Sequence, residues 1–177
     1  MRDAAPSEAD RVETFDEGLP APVRAAVARF MQTMCDARRS ITLAESCTGG
    51  LIAAAFTDVE GCSHAFDRGF VVYSEEAKTE CLGVEPEILR EHGAVSEACA
   101  RAMARGGLAF SRADPALAVT GFAGPGAPGE EPGLVHFAAA RRGGAALALE
   151  RHYGARPRAE VRIACLADGV ALLGRLL

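Results

Sequence analysis

Three short stretches carry residue types that can do chemistry. The first is Ser46-Cys47-Thr48-Gly49-Gly50, set between the apolar runs 41–44 and 51–56. It reads as a buried strand, a sharp turn and a helix. Such a turn delivers a hydroxyl to a place where free backbone N–H groups converge, and those groups favour an anion or a developing oxyanion. Ser46 or Thr48 would also serve simply as the N-cap of that helix. The second stretch runs from Tyr73 to Lys78. The third runs from Thr120 to Gly124 and opens a Gly/Pro-dense segment that reaches Gly133.

A serine hydroxyl is a weak nucleophile without a base. No histidine lies in these three turns. His92 would reach them only through a loop, and His64, His136 and His152 read as structural or surface residues. Lys78 is the better candidate base. An amine with its reference pKa of ~10.4 costs about 4.6 kcal/mol to deprotonate at neutral pH. Burial, or a second cation nearby, would have to lower that cost. Glu75 and Glu76 oppose this if they lie close, so their carboxylates are expected to point to solvent. Cys47 is a rival nucleophile, because a thiolate at a helix N-terminus gains acidity. Adjacent turn residues face different ways, so one of Ser46 and Cys47 enters the pocket; these residues alone do not choose between them.

The elements that position these turns follow from periodicity. Residues 19–38 place Val23, Val27, Phe30, Met31 and Met34 at helical spacing, an amphipathic helix. A strand begins at Ile41, and the helix after Gly50 runs to about Asp58. Phe70-Val71-Val72-Tyr73 suits a buried strand. Ser74 can cap the next helix, which Gly83 stops. A short helix spans 86–91, a turn 92–95, and Ser96 caps a helix over 97–110. Residues 115–120 form a buried strand. Strands over 134–140 and 145–153 flank a hairpin-like turn at Arg141-Arg142-Gly143-Gly144, and a helix over 158–176 closes the chain. Early alternation of strand and helix with a late hairpin predicts a three-layer α/β/α sandwich, its mixed, mostly parallel sheet having about five strands. Ligands of such sheets bind beyond the carboxyl ends of the strands, so the three turns are expected to line one pocket.

Composition narrows the function class. With 177 residues, 49% of them apolar, the chain suits one core. We expect a flexible leader over residues 1–18 and a single domain over 19–177. The net charge of -5 gives no footprint for nucleic acid or an anionic membrane. Arg141, Arg142, Arg151, Arg156, Arg158 and Arg162 collect near the C-terminus, as a solvated face or a phosphate contact. The six cysteines show neither C-x-x-C nor zinc-ribbon spacing. Without a signal or a spanning segment, a cytoplasmic protein with reduced thiols is expected. The apolar stripe of the 19–38 helix and the Ala-rich surfaces favour a homodimer or higher homo-oligomer.

Several motifs in order resemble one family. Ala44-Glu45-Ser46-Cys47-Thr48-Gly49-Gly50, Tyr73-Ser74-Glu75-Glu76-Ala77-Lys78, Leu82-Gly83-Val84, Gly93-Ala94-Val95-Ser96-Glu97 and Thr120-Gly121-Phe122-Ala123-Gly124-Pro125 look like the CinA C-terminal domain. That is the nicotinamide mononucleotide deamidase family, also called PncC, and the resemblance covers roughly residues 20–177. It implies an amidohydrolase that converts nicotinamide mononucleotide to nicotinate mononucleotide and ammonia in pyridine nucleotide salvage. It places the nucleophile on Ser46, the base on Lys78 and a supporting tyrosine on Tyr73. The small-molecule nucleotide would be bound by Thr48, Gly49, Gly50, Thr120, Gly121, Phe122, Ala123 and Gly124. Arg158 is favoured as the family's arginine by its spacing to Val161-Arg162. The implied chemistry requires no metal and no cofactor. This chain departs from the family at Glu75, where asparagine is common, and at Gly61-Cys62-Ser63. A nucleotide-binding or protein-interaction module of the same fold with weak turnover is the alternative.

Overall fold

The computed structural model describes residues 18–124 and 128–177. The expected leader lies outside them, apart from Gly18, as do residues 125–127 of the Gly/Pro segment. The described elements are α1 (Ala21–Asp36), β1 (Ile41–Glu45), α2 (Leu51–Thr57), a 3-10 turn (Ser63–Ala65), β2 (Phe66–Val71), α3 (Glu75–Leu82), α4 (Pro86–His92), α5 (Glu97–Ala109), β3 (Ala116–Gly121), β4 (Leu134–Ala140), β5 (Leu147–His152) and α6 (Arg158–Gly174).

The five strands form one mixed sheet in the order β2-β1-β3-β4-β5. β1 pairs in parallel with β2 and with β3, while β4 is antiparallel to both β3 and β5. Four strands therefore point one way and β4 points the other. Parallel neighbours require crossovers, which the helices supply, and the β4–β5 pair needs only a tight turn.

Alternation along the strands divides the core in two. Ile41, Leu43, Leu117, Val119, Val135 and Phe137 face a layer that includes Phe30, Met31 and Met34 of α1, Phe56 of α2 and Leu166 of α6. The opposite face is built from Ala44, Ala116, Ala118, Ala138 and Ala140, packed with Met103 and Ala104 of α5 and Leu82 of α3. A face of methyl groups lets a helix approach the sheet closely, and α5 meets it with small residues. A side chain added at Gly107 would lie 3.4 Å from the Thr42 methyl.

Two expectations change on folding. The 70–73 run was expected to be buried, but β2 is an edge strand, with a neighbour on one side only. Val72 is buried, whereas Val71 is 55% and Tyr73 63% exposed. The apolar stripe of the 19–38 helix was expected to support a dimer. Val27, Phe30, Met31 and Met34 are instead buried within the chain's own core, so that stripe is not available to a partner.

Adjacent glycines on α5 give a sharp test of the close packing. A Cβ at Gly106 would lie 2.0 Å from the Leu82 carbonyl oxygen, a backbone atom that cannot rotate away, whereas one at Gly107 would make ordinary contacts. Gly106→Ala should destabilise the protein by about 1–3 kcal/mol. Gly107→Ala should be neutral or stabilising by up to ~1 kcal/mol, through helix propensity. Urea denaturation of the two variants measures the contrast.

Candidate active site

The site begins with the parity of β1. Residues 41, 43, 45 and 47 face the α1/α2/α6 layer, and 42, 44 and 46 face the α3/α5 layer. Cys47 therefore turns into the first core cluster, 3% exposed. Ser46 turns toward α3, and its N–H, bonded to the Val119 carbonyl at 2.9 Å, keeps it in line with the sheet. Tertiary packing thus turns the hydroxyl, and not the thiol, toward α3.

Lys78 comes from the other side. Ser74 caps α3, its hydroxyl accepting from the Ala77 N–H at 3.1 Å. Lys78 follows one turn in, where its amine points back over the end of β2. It is 1% exposed, and Ser46 is 7% exposed. Lys78 Nζ lies 3.1 Å from Ser46 Oγ, 3.1 Å from the Val72 carbonyl oxygen and 3.4 Å from the Tyr73 carbonyl oxygen. Lys78 is also the chain's only lysine; the other 18 of its 19 Lys and Arg residues are arginines. A guanidinium does not give up its proton in proteins, so among the basic side chains only Lys78 can act as an amine base. That count was available in the sequence.

Burial holds the Lys78 amine below the usual lysine range. The neighbouring Cys99, Glu75 and Cys47 pull more weakly the other way. Glu75 and Glu76 are exposed, as expected. The Cys99 thiol is pushed up to about 11, chiefly by burial, so it is neutral at pH 7 and places no full charge beside the amine.

The 46–50 turn is not capped as expected. Neither Ser46 nor Thr48 caps α2. Glu45 does so, its carboxylate accepting from the N–H groups of Gly50, Ile52 and Ala53 at 3.0, 3.2 and 2.8 Å. The sequence reading missed this residue; the signal was a carboxylate at an inward position just before the turn. Gly49 and Gly50 adopt φ of +64° and +93°, a left-handed region that glycine enters without strain. Thr48 is buried, and its hydroxyl has no partner among the described residues.

The third turn lies on the neighbouring strand. Thr120 is buried, and its hydroxyl donates to the Ala94 carbonyl at 2.7 Å, tying the 93–95 turn to the sheet. A Cβ at Gly121 would lie 2.6 Å from the Leu134 carbonyl oxygen. Phe122 continues the pairing, its N–H donating to that carbonyl at 2.9 Å, and Ala123 enters the core. His136 pairs across from Thr120 but turns to Glu150, its Nδ1 3.4 Å from that carboxylate.

Both Gly turns meet the start of α6. The Arg158 guanidinium lies 3.3 Å from the position a Cβ would take at Gly124, and that of Arg162 lies 3.3 Å from the corresponding position at Gly49. Arg162 Nε also donates to the Cys47 carbonyl at 2.9 Å. The two arginines stand four residues apart, on one helix face. In sequence Arg162 stood out as part of a basic cluster and as the spacing reference for Arg158, not as a contact of the Gly49 turn. Tyr73 joins the site through its carbonyl, with its ring exposed. Ser46, Lys78, the Tyr73 carbonyl, the 46–50 and 120–124 turns and both arginines thus gather at one end of the sheet.

Fold and site together define a three-layer α/β/α protein with a buried hydroxyl–amine pair at the carboxyl end of β1, an interior strand of the sheet. The chain belongs to the CinA C-terminal domain family, whose profile matches residues 24–177. It is 42% identical over 173 residues to a CinA-like protein of Geobacter sulfurreducens, an alignment that covers 88% of this chain and 41% of that one. It therefore spans well under half the length of that relative. It is 50% identical over 115 residues to the nicotinamide-nucleotide amidohydrolase PncC of Enterobacter agglomerans, over 64% of this chain and 70% of that one. The solved structure of the competence/damage inducible protein CihA from Agrobacterium tumefaciens superposes with a TM-score of 0.86 at 42% identity, covering 89% of this chain and 97% of that one. Among the described residues, no helix is long and apolar enough to cross a membrane.

The buried amine has a stability signature. Its pKa is lower in the folded chain than in the unfolded one. Between those two values the unfolded state binds more protons, so stability rises with pH there and levels off above the unfolded value of ~10.4. Lys78→Met should remove this rise. Denaturation midpoints of both proteins, followed from neutral to alkaline pH, should differ in slope across that window and run parallel above it.

Proposed function

We propose that this chain is a serine–lysine amidohydrolase, converting nicotinamide mononucleotide to nicotinate mononucleotide and ammonia within cytoplasmic pyridine nucleotide salvage. One observation carries the reading: the only lysine of the chain is buried 3.1 Å from the hydroxyl of Ser46. Similarity to a relative named as a nicotinamide-nucleotide amidohydrolase supports the substrate class.

The geometry around Lys78 favours base catalysis for a simple reason. A neutral amine has two N–H donors and one lone pair. The carbonyls of Val72 and Tyr73 accept the two N–H groups. The lone pair is then left facing Ser46. These carbonyls also favour the charged ammonium, so desolvation must outweigh them; the lowered pKa gives the direction in which the balance falls.

In the proposed reaction Lys78 takes the Ser46 proton as Oγ attacks the carboxamide carbon. The turn's own hydrogen bonds use the N–H groups of Ser46, Gly49, Gly50 and Leu51. Those of Cys47 and Thr48, which have no partner among the described residues, are left for the oxyanion, and one such donor is typically worth about 2.7–4 kcal/mol. The Lys78 ammonium returns its proton to the leaving nitrogen, and ammonia departs. Water, deprotonated by Lys78, then cleaves the acyl–Ser46 ester. Tyr73 holds the lysine through its carbonyl, and its exposed ring is free to meet the substrate. Arg158 and Arg162 supply positive charge for the nucleotide phosphate, beside Gly124 and Gly49. Glycines at these turns let the main chain approach the ligand.

Ammonia release from nicotinamide mononucleotide, compared with other pyridine nucleotides and free nicotinamide, tests the activity. Ser46→Ala and Lys78→Met should each lower kcat by about a thousandfold or more, because the pair acts as a unit. Cys47→Ala should leave kcat within a few fold; a loss there with retention in Ser46→Ala would reassign the nucleophile. The rate should rise with pH along a limb whose midpoint lies below the ordinary lysine value of ~10.4. Activity confined to pH above ~10 would rule out the buried amine as base. A folded chain that binds the nucleotide and releases no ammonia would instead fit a binding module of the same fold.

A further inference from the structure

Glu45 is a carboxylate set in an apolar layer. It is the last residue of β1 and 1% exposed, on the strand face that carries Leu43 and Cys47 into the core. A buried carboxylate persists only where hydrogen bonds replace its hydration. Those of Glu45 come from the first turn of α2: Gly50 and Ile52 donate to one oxygen, and Ala53 donates to the other. Its backbone is anchored as well. The Glu45 carbonyl accepts from Val72 N–H at 2.8 Å, and the N–H of the next residue, Ser46, donates to Val119 at 2.9 Å.

Residues 46–49 therefore form a short loop fastened at both ends, by the sheet before it and by the Glu45 side chain after it. Within the loop, Gly49 N–H donates to the Ser46 carbonyl at 3.1 Å, and Leu51 N–H donates to the Thr48 carbonyl at 3.3 Å. The helix-start amides that an anion would otherwise seek are already taken by this internal carboxylate. Among the described residues, the amides left without a partner in this turn are those of Cys47 and Thr48, the two residues that follow Ser46. Three N–H groups hydrogen-bond the Glu45 carboxylate where it sits. The Glu45 side chain lies on the face of β1 opposite to the one that carries Ser46 toward Lys78.

We propose that Glu45 is a positioning residue for the reaction: its carboxylate straps the start of α2 to the end of β1, and so holds the Cys47 and Thr48 N–H groups at the place where the oxyanion forms on attack by Ser46. This rests on reading the chain as a Ser46 amidase. It goes beyond that reading, because a residue that touches neither substrate nor base would set the rate. Glu45 would act by geometry alone, without tuning the lysine.

Glu45→Gln keeps the shape but turns an NH₂ group toward an N–H donor, which loosens the strap. With nicotinamide mononucleotide, kcat of the folded variant should fall by about tenfold or more while KM stays within about threefold, because the lost interaction is made mainly in the transition state. The midpoint of the alkaline limb should not move. A thermal melt by circular dichroism establishes that the variant is folded; if Glu45→Gln does not fold, Glu45→Asp, which keeps the charge on a shorter arm, is read in the same way. A kcat within twofold of the parent, or a displaced limb, would overturn the proposal, the second by showing that Glu45 acts through Lys78.

A second readout does not depend on turnover. A fluorophosphonate reacts with an activated serine, and its phosphoryl oxygen needs the same two amides. Labelling of Ser46, followed by mass spectrometry, should be about tenfold slower in Glu45→Gln than in the parent. Equal labelling rates would count against Glu45. If the parent releases no ammonia from any pyridine nucleotide, the amidase reading fails by itself, and the labelling rates still decide whether Glu45 arranges the turn.

Discussion

The structure depends on keeping one amine out of water. Burying an ammonium is expensive, and a lysine in such a place responds by shifting toward its neutral form. The fold arranges this with local means. β2 ends at Val71, and three residues later Ser74 starts α3. Lys78, one turn into that helix, reaches back over the strand end it has just left. The carbonyls of Val72 and Tyr73, which have finished pairing in the sheet, are there to receive it. The chain thus builds the amine's surroundings from one strand–turn–helix segment and imports only the Ser46 hydroxyl from elsewhere.

That hydroxyl is delivered by strand alternation. β1 has layers on both faces, so each residue at its end is committed to one of two environments. Glu45 faces the α2 layer and ties down the turn; Ser46 faces α3 and the amine; Cys47 returns to the α2/α6 core. Three consecutive residues thereby take three different roles without side chains competing for one space. The Ala-lined face of the sheet matters for the same reason. It draws α5 close, and α5 in turn packs with α3, so the helix carrying Lys78 rests on a closely packed layer.

Much of this was legible beforehand. The periodicity of 19–38, the caps at Ser74 and Ser96, the buried runs at 41–45 and 116–120 and the late hairpin all hold in the structure, because each depends on local patterning. The burial of 70–73 was misjudged because β-branched and aromatic residues suit an edge strand as well as a central one, and strand order is not a local property. The apolar stripe of α1 looked available to a partner because sequence shows that a face is apolar, not what covers it. At the site, Glu45 was overlooked for a related reason: a carboxylate next to a serine looks like any polar turn residue until the direction of its side chain is known.

The sequence by itself determined which groups exist to do chemistry: a single lysine, a serine and a cysteine side by side, and glycines where the main chain must turn tightly. Side-chain type, local spacing and turn chemistry are properties of neighbouring residues, so they can be read along the chain. Only the tertiary structure decided which of the adjacent nucleophiles meets the amine, that a carboxylate rather than a hydroxyl caps α2, and that Arg158 and Arg162 each stand over a different glycine turn. Those outcomes hinge on strand parity, strand order and the seating of α6. They are set by packing among residues far apart in the chain, where burial and hydrogen-bond satisfaction are settled for all the elements at once.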